Sequence, residues 1–157
     1  MSTPAESGEP CLSVHDDCPA HEAGVVDQGI GDHNDAAAPL HQVRPLSAFV
    51  KAADGSVIGG AVGRTWGRCC ELQQLWVHEA WRRRGLGSRL LRAFEARAAQ
   101  RGCTTFYLET WSFQAPGLYQ ALGYAVQHTL TGYGPGLAKH VMVKASEEAL
   151  ASMVFCA

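Results

Sequence analysis

Between Arg82 and Gln100, Leu86, Leu90, Leu91, Phe94 and Ala98 recur at helical spacing, while Arg89, Arg92 and Glu95 fall largely on the other side. An apolar stripe of that period marks an amphipathic helix with one face against a core. The run Cys69 to Val77 before it reads as a strand, with Leu72, Leu75 and Val77 among its apolar residues. Gly102 supplies a stop after the helix, and Thr104 to Thr110 (TTFYLET) is rich in β-branched and aromatic residues. Strand, helix and strand joined by short links form a βαβ unit, whose two strands are parallel neighbours connected right-handedly. This unit sets the class: an α/β chain with a mixed, twisted sheet.

The flanking segments extend that sheet. LSAFVKA after Pro45 alternates, Asp54-Gly55 is a hairpin turn, and SVIGGAVGRTW is a β-rich run. A shorter helix is expected from Gln114 to Leu122, ended by Gly123. Two last strands, Tyr124 to Leu130 and His140 to Lys144, flank the loop Thr131 to Ala138 (TGYGPGLA). Upstream, a short strand is expected at Leu12 to Val14 and a weak helix within Glu22 to Asp32, interrupted by Gly29 and Gly31. Residues 1–10 are small, polar and proline-containing and are expected to be a disordered leader. Residues 11–145 are read as one domain, and 146–157 as a tail that could form a short helix. With 157 residues, folding buries about two-thirds of the extended chain's surface, so the core needs no disulfide or metal staple.

No apolar run approaches the roughly 20 residues needed to cross a bilayer, so no membrane partner is expected. Met1 to Pro10 carries neither a basic residue nor an apolar stretch of the secretory kind, and a cytoplasmic protein is the expectation. Charge is divided unevenly. Residues 1–43 hold eight carboxylates and no Lys or Arg, while residues 44–157 hold thirteen basic and seven acidic residues. The basic body points to an anionic partner. Seven of its cations are Arg gathered between Arg82 and Arg101, too local for a nucleic-acid stripe, and a small polyanion fits better. The six cysteines are read as reduced, mostly buried thiols, since the adjacent Cys69 and Cys70 are poor geometry for an ordinary bridge. Cys11, His15, Cys18 and His21 are four zinc-ligand types in eleven residues, but their spacing is not a usual finger pattern, and no metal is expected.

Arg82-Arg83-Arg84-Gly85-Leu86-Gly87-Ser88 forms a glycine-rich turn between the strand and the first turn of the long helix. Two glycines let backbone approach a ligand, and the unpaired amides of a helix start converge with the positive end of its dipole. That is a phosphate or pyrophosphate site. It lacks the Gly-Lys-Ser/Thr of a P-loop and the third Gly of a dinucleotide fingerprint, and on its own the turn also reads as a solvated Arg cluster.

The stretch Glu71 to Tyr124 resembles the GNAT superfamily of acyl-CoA-dependent N-acyltransferases, and the resemblance covers roughly residues 45–145. Arg82, Gly85 and Gly87 meet that family's Gln/Arg-x-x-Gly-x-Gly/Ala signature, behind the strand ending Leu75-Trp76-Val77. Ala115-Pro116-Gly117-Leu118-Tyr119 followed by Leu122-Gly123-Tyr124 is similar to the family's Ala-x-x-Leu/Phe-Tyr helix and Gly-Phe/Tyr. Bacterial acetyltransferases of the family share Gly63 to Trp66, Leu75 to Val77 and Ser112 to Ala115. The resemblance implies a sheet of six to seven strands, splayed between two central parallel strands and flanked by helices, with acetyl-CoA in the slot. It further implies that the amides of Arg83, Arg84, Gly85, Leu86, Gly87 and Ser88 hold the pyrophosphate. Leu75, Trp76 and Val77 would pair with the pantetheine, and an amide near Trp76 or Val77 would polarise the thioester carbonyl. Where the family often has Asn bonding the pantetheine, this chain has Ser112, a shorter partner.

Transfer to an amine needs a neutral nucleophile, hence a base, and an acid for the leaving thiolate. Tyr119 matches the family's thiolate-protonating tyrosine. Glu71, fourteen residues before Gly85, matches the position that receives the amine proton and is expected to share a strand face with Gln73. Glu109 is an alternative base or acceptor anchor, and His78 and His140 are further candidates. Trp66, Trp111, Tyr133 and the loop around Gly134 to Gly136 are expected near the mouth of the slot, as acceptor contacts or as packing. The expected activity is acetyl transfer to a primary amine of a small molecule or peptide by direct attack, without a Cys nucleophile. A catalytically silent acyl-CoA-binding or regulatory module is the rival reading. Uncovered sheet edges make a homodimer a further expectation.

Overall fold

The computed structural model describes residues 10–146, so the expected leader and tail fall almost wholly outside the described residues. The chain divides into two compact units, Met1–Leu40 and His41–Ala157. The first contains α1 (Ala20–Ala37), longer than the weak helix its glycines suggest. It starts after Pro19 without a side-chain cap, and the Gln28 amide donates to Asp32 one turn on at 2.7 Å. Leu12 and Val14 are almost fully exposed and form no strand, and among the described residues no strand pairs with them.

The second unit is a six-stranded mixed sheet with two helices. Its strands are β1 (Arg44–Lys51), β2 (Val57–Trp66), β3 (Cys69–Val77), β4 (Thr105–Trp111), β5 (Ala125–Leu130) and β6 (Lys139–Ala145), in the order β1-β2-β3-β4-β6-β5. The β1-β2 turn is fixed locally: Gly55 has φ +86°, and the Asp54 carboxylate accepts from the amide and hydroxyl of Ser56. β3 and β4 are parallel, as the βαβ reading requires, and every other pairing is antiparallel.

α2 (Leu86–Gln100) begins four residues later than the full expected segment, because Arg82 to Gly85 form the preceding turn. Its stripe Leu86, Leu90, Leu91, Phe94 and Ala98 is buried, and the helix lies against β1, β2 and β3. Phe94, Leu91, Leu108 and Met142 are the largest fully buried side chains; each apolar side chain so removed from water contributes about 1.5–3 kcal/mol. Gly102, at φ +89°, ends the helix, and the amide of Cys103 bonds back to the carbonyl of Ala98.

Two features open the sheet. The β2-β3 register skips Gln73, since Val62 faces Gln74 while Gly63 faces Leu72, a β-bulge in the middle of β3. Gly63 is required there, because a Cβ on it would lie 1.9 Å from the carbonyl oxygen of Glu71. On its other side β3 pairs with β4 only from Cys69 to Leu72. Beyond that point Gln73–Val77 and Glu109–Trp111 run without pairing to each other, which leaves the slot between parted strands. α3 (Pro116–Ala121), with Pro at its first position, sits across that opening through Leu118 and Tyr119.

Candidate active site

The parted strands enclose a cleft of about 1010 Å³. That is at the upper end of the range for ligand sites, roughly 300–1,000 Å³. One wall is the free edge of β3 with the turn that follows it; the other is the end of β4, α3 and the start of β6.

Arg83 has φ +57° and Gly85 φ +73°, so the chain reverses sharply into α2. Gly85 precedes the helix with no side-chain cap, and the first intrahelical bond from this turn is Arg89 N–H to Gly85 O at 3.1 Å. The amides of Leu86, Gly87 and Ser88 therefore have no helical acceptor, and their residues line the cleft. Arg82 and Arg83 line the same end. The Arg82 Nε also donates to the Val77 carbonyl at 2.9 Å, tying the turn to the end of β3. Arg84 departs from the expected site: its guanidinium lies over the Trp81 ring, 5.1 Å from the centroid, and is not in the lining. A Cβ at Gly87 would sit in ordinary contact with the Leu118 side chain, at 3.4 Å, which places the start of α2 beside α3.

Leu75, Trp76 and Val77 line the cleft along the β3 edge, paired to β2 on one side only. Tyr119 is buried yet reaches the cleft, and burial raises its phenol above the usual range. Its ring meets that of Tyr124 edge-on, with centroids 6.0 Å apart. Tyr124 donates to Glu95 at 2.8 Å, and Lys144 donates to the other carboxylate oxygen at 2.6 Å. This network joins α2 to β6 behind Tyr119 and fixes its seat.

Ser112 is placed differently from the expectation. Its hydroxyl donates to the Gly136 carbonyl and accepts from the Ala138 amide, and its own amide donates to the Ala138 carbonyl. A side chain so engaged braces the loop between β5 and β6 and is not among the cleft lining. Glu71 and Gln73 do share a face, their side chains 3.5 Å apart. Glu71 lies where β3 still pairs with β4, is held at 2.5 Å by Arg64 Nε, and does not line the cleft. Glu109 does line it, paired with Lys139, and that bond raises the lysine above its ordinary range.

The histidine candidates lie elsewhere. His78 Nδ1 accepts from the Ala80 amide, and His140 Nδ1 is 3.0 Å from Thr129 Oγ1. Trp66 is at the far end of the hairpin, opposite Cys69, and so belongs to the closed end of the sheet and not to the mouth. Trp111 lines the cleft, while Tyr133 acts behind it, ring to ring at 4.7 Å. Gly134 to Gly136 stay in the braced loop, outside the lining. Trp81, Phe113 and Lys139 line the cleft without having been singled out; only the β4-β6 register, Trp111 opposite Lys139, brings the last one in.

Cys11, His15, Cys18 and His21 are all exposed and do not converge, and among the described residues no group of three or more metal-ligating side chains could hold an ion. No described helix is long and apolar enough to cross a membrane.

An uncapped helix start, an unpaired strand edge and a buried tyrosine line one cleft in the split mixed sheet of an α/β protein. Residues 15–124 match the Acetyltransferase (GNAT) family. Over 110 residues the chain is 40% identical to blasticidin-S acetyltransferase of Streptomyces morookaense, covering 68% of this chain and 81% of that protein. It is 36% identical over 81 residues to acetyltransferase Atu2258 of Agrobacterium fabrum, covering 52% of this chain and 59% of that one. The crystal structure of an acetyltransferase from Bacillus cereus superposes with a TM-score of 0.72 at 26% identity, covering 85% of this chain and 97% of that chain. The chain belongs to the GNAT acetyltransferase family.

Proposed function

We propose that this protein transfers an acetyl group from acetyl-CoA to a primary amine of a small molecule or peptide by direct attack. The observation that carries this reading is that one cleft brings together the uncapped amides of Leu86 to Ser88, the free edge of Leu75 to Val77, and Tyr119. Acetyl-CoA supplies an activated thioester. The amides of the Arg83 to Ser88 turn, with Arg82 and Arg83 beside them, fit its diphosphate, and the β3 edge beyond the bulge fits the amide-bearing pantetheine arm.

Tyr119 acts as the acid. Burial holds its phenol protonated above the ordinary tyrosine range, so at neutral pH it keeps a proton to give to the leaving sulfur. The backbone near Trp76 and Val77 orients the thioester carbonyl. For the amine proton, Glu109 is the carboxylate in the cleft, while Glu71 reaches it only from behind Gln73 and Arg64. Direct attack is supported by the lining, which among the described residues contains no cysteine.

A thiol-release assay with acetyl-CoA and an amine panel tests the proposal, with blasticidin S included because of the 40% identical relative. Tyr119→Phe should lower kcat on the order of 10²–10⁴-fold, the usual contribution of a general acid, while acetyl-CoA binding persists. Parallel Glu71→Gln and Glu109→Gln variants assign the base. Tight cofactor binding without transfer to any amine would leave a binding module instead.

A further inference from the structure

We propose that the Glu109–Lys139 pair recognises the acceptor, and that the acceptor carries a carboxylate close to its amine. This rests on the amine-transfer reading above and names the class of amine.

The two ends of the cleft differ in charge. The β3 side carries Arg82 and Arg83 and matches a polyanion. The β4 side carries one carboxylate and one ammonium, Glu109 and Lys139, bonded to each other. Strand register brings them together: Trp111 faces Lys139 and Glu109 faces Val141, so Glu109 and Lys139 are diagonal neighbours across β4 and β6. Both remain open to the cleft, with side-chain exposures of 52% and 27%. Such an exposed pair contributes little to stability and opens readily to a ligand.

The pair discriminates among amines. An acceptor with only a cation would approach Glu109 against the neighbouring ammonium of Lys139, and one with only an anion would meet the carboxylate. A zwitterion satisfies both, its ammonium on Glu109 and its carboxylate on Lys139. Beside them, Lys139 Nζ lies 5.9 Å from the Trp111 ring centroid, and Phe113 lies nearly parallel to Trp111 at 15°. The Phe113 ring is 68% exposed and lines the cleft, a flat surface for the rest of the molecule. The wall is preformed, because Ser112 fixes the loop that leads into Lys139 and Tyr133 packs edge-on to Trp111.

The test is calorimetric titration of the protein saturated with coenzyme A, using matched aromatic compounds: tryptophan against tryptamine, and α- and β-phenylalanine against phenethylamine. At least one amino acid should bind tenfold or more tightly than its carboxylate-free partner. Lys139→Met should bring that ratio to within about twofold by weakening the amino acid alone, and Lys139→Arg should restore it. Equal or tighter binding of every carboxylate-free amine would overturn the proposal, as would a Lys139→Met variant that weakens both members of a pair alike. If the preference is present but no thiol is released from acetyl-CoA, the recognition site stands and the transfer reading fails.

Discussion

Replacing Gly63 by Ala should be among the most damaging single-methyl changes available to this chain. An ideal Cβ at position 63 lies 1.9 Å from the Glu71 carbonyl oxygen and 2.9 Å from Phe94 Cζ, against the 3.0 Å that real Cβ atoms keep. The first contact is with backbone, so no side-chain rotation relieves it. Strands β2 and β3 must separate by about 1 Å at the bulge, adding overpacking strain of roughly 1–3 kcal/mol to the loss of one or two ladder hydrogen bonds at about 1 kcal/mol each. A total near 4 kcal/mol is expected. In urea unfolding, with a slope of about 2 kcal/mol/M for a domain of this size, the midpoint should fall by about 2 M. Gly60→Ala is the matched control. Its Cβ crowds the Phe49 ring, at 2.7 and 2.9 Å, and lies at ordinary contact distance, 3.4 Å, from the Ala48 carbonyl oxygen; Phe49 is more than half exposed and free to swing aside, so the cost should stay under about 1 kcal/mol. Equal midpoints for the two variants would refute the reasoning that the bulge at Gln73 holds the cleft open against a backbone contact.

Ser112→Ala removes two hydrogen bonds that hold the Gly136 to Ala138 segment. Steady-state kinetics should show a several-fold higher acceptor KM with acetyl-CoA binding unchanged; weaker acetyl-CoA binding with an unchanged acceptor KM would return Ser112 to a pantetheine contact. Among the cysteines, burial, with Cys103 and Glu95 nearby, pushes the Cys70 thiol up to about 12, whereas Cys69 is exposed. Native iodoacetamide labelling at pH 8 followed by peptide mapping should modify Cys69 and spare Cys70. The same raised value means the native state keeps a proton that the unfolded chain releases. Its stabilising contribution is complete below about pH 9 and lost as pH rises towards 12, so Cys70→Ala should flatten the alkaline limb of stability against pH.

The local parts of the fold were legible. A hydrophobic stripe, a hairpin turn at Asp54-Gly55 and a glycine stop at Gly102 each act within a few residues, and the elements they govern, β1, β2, α2 and β4, formed close to their expected bounds. The glycine turn before α2 was legible for the same reason, since Gly85 and the uncapped start of α2 are adjacent in the chain. What failed depended on pairings between distant segments. The insertion of β6 between β4 and β5 sets Lys139 beside Trp111, and the skipped residue at Gln73 sets Arg64 against Glu71. Neither register can be counted from one strand alone. The loop contacts of Ser112 are not legible in the sequence because its partners, Gly136 and Ala138, lie more than twenty residues downstream. Trp66 was misread because an aromatic residue announces burial or contact without saying at which end of the sheet.

The central claim is that main-chain nitrogens at the start of α2 grip the diphosphate of coenzyme A. Amide chemical shifts of ¹⁵N-labelled protein titrated with coenzyme A test it most directly. The amides of Gly85, Leu86, Gly87 and Ser88 should move most, together with those of Trp76 and Val77, and Gly85→Val should abolish the response. Saturable binding that leaves these amides still and moves others would contradict it.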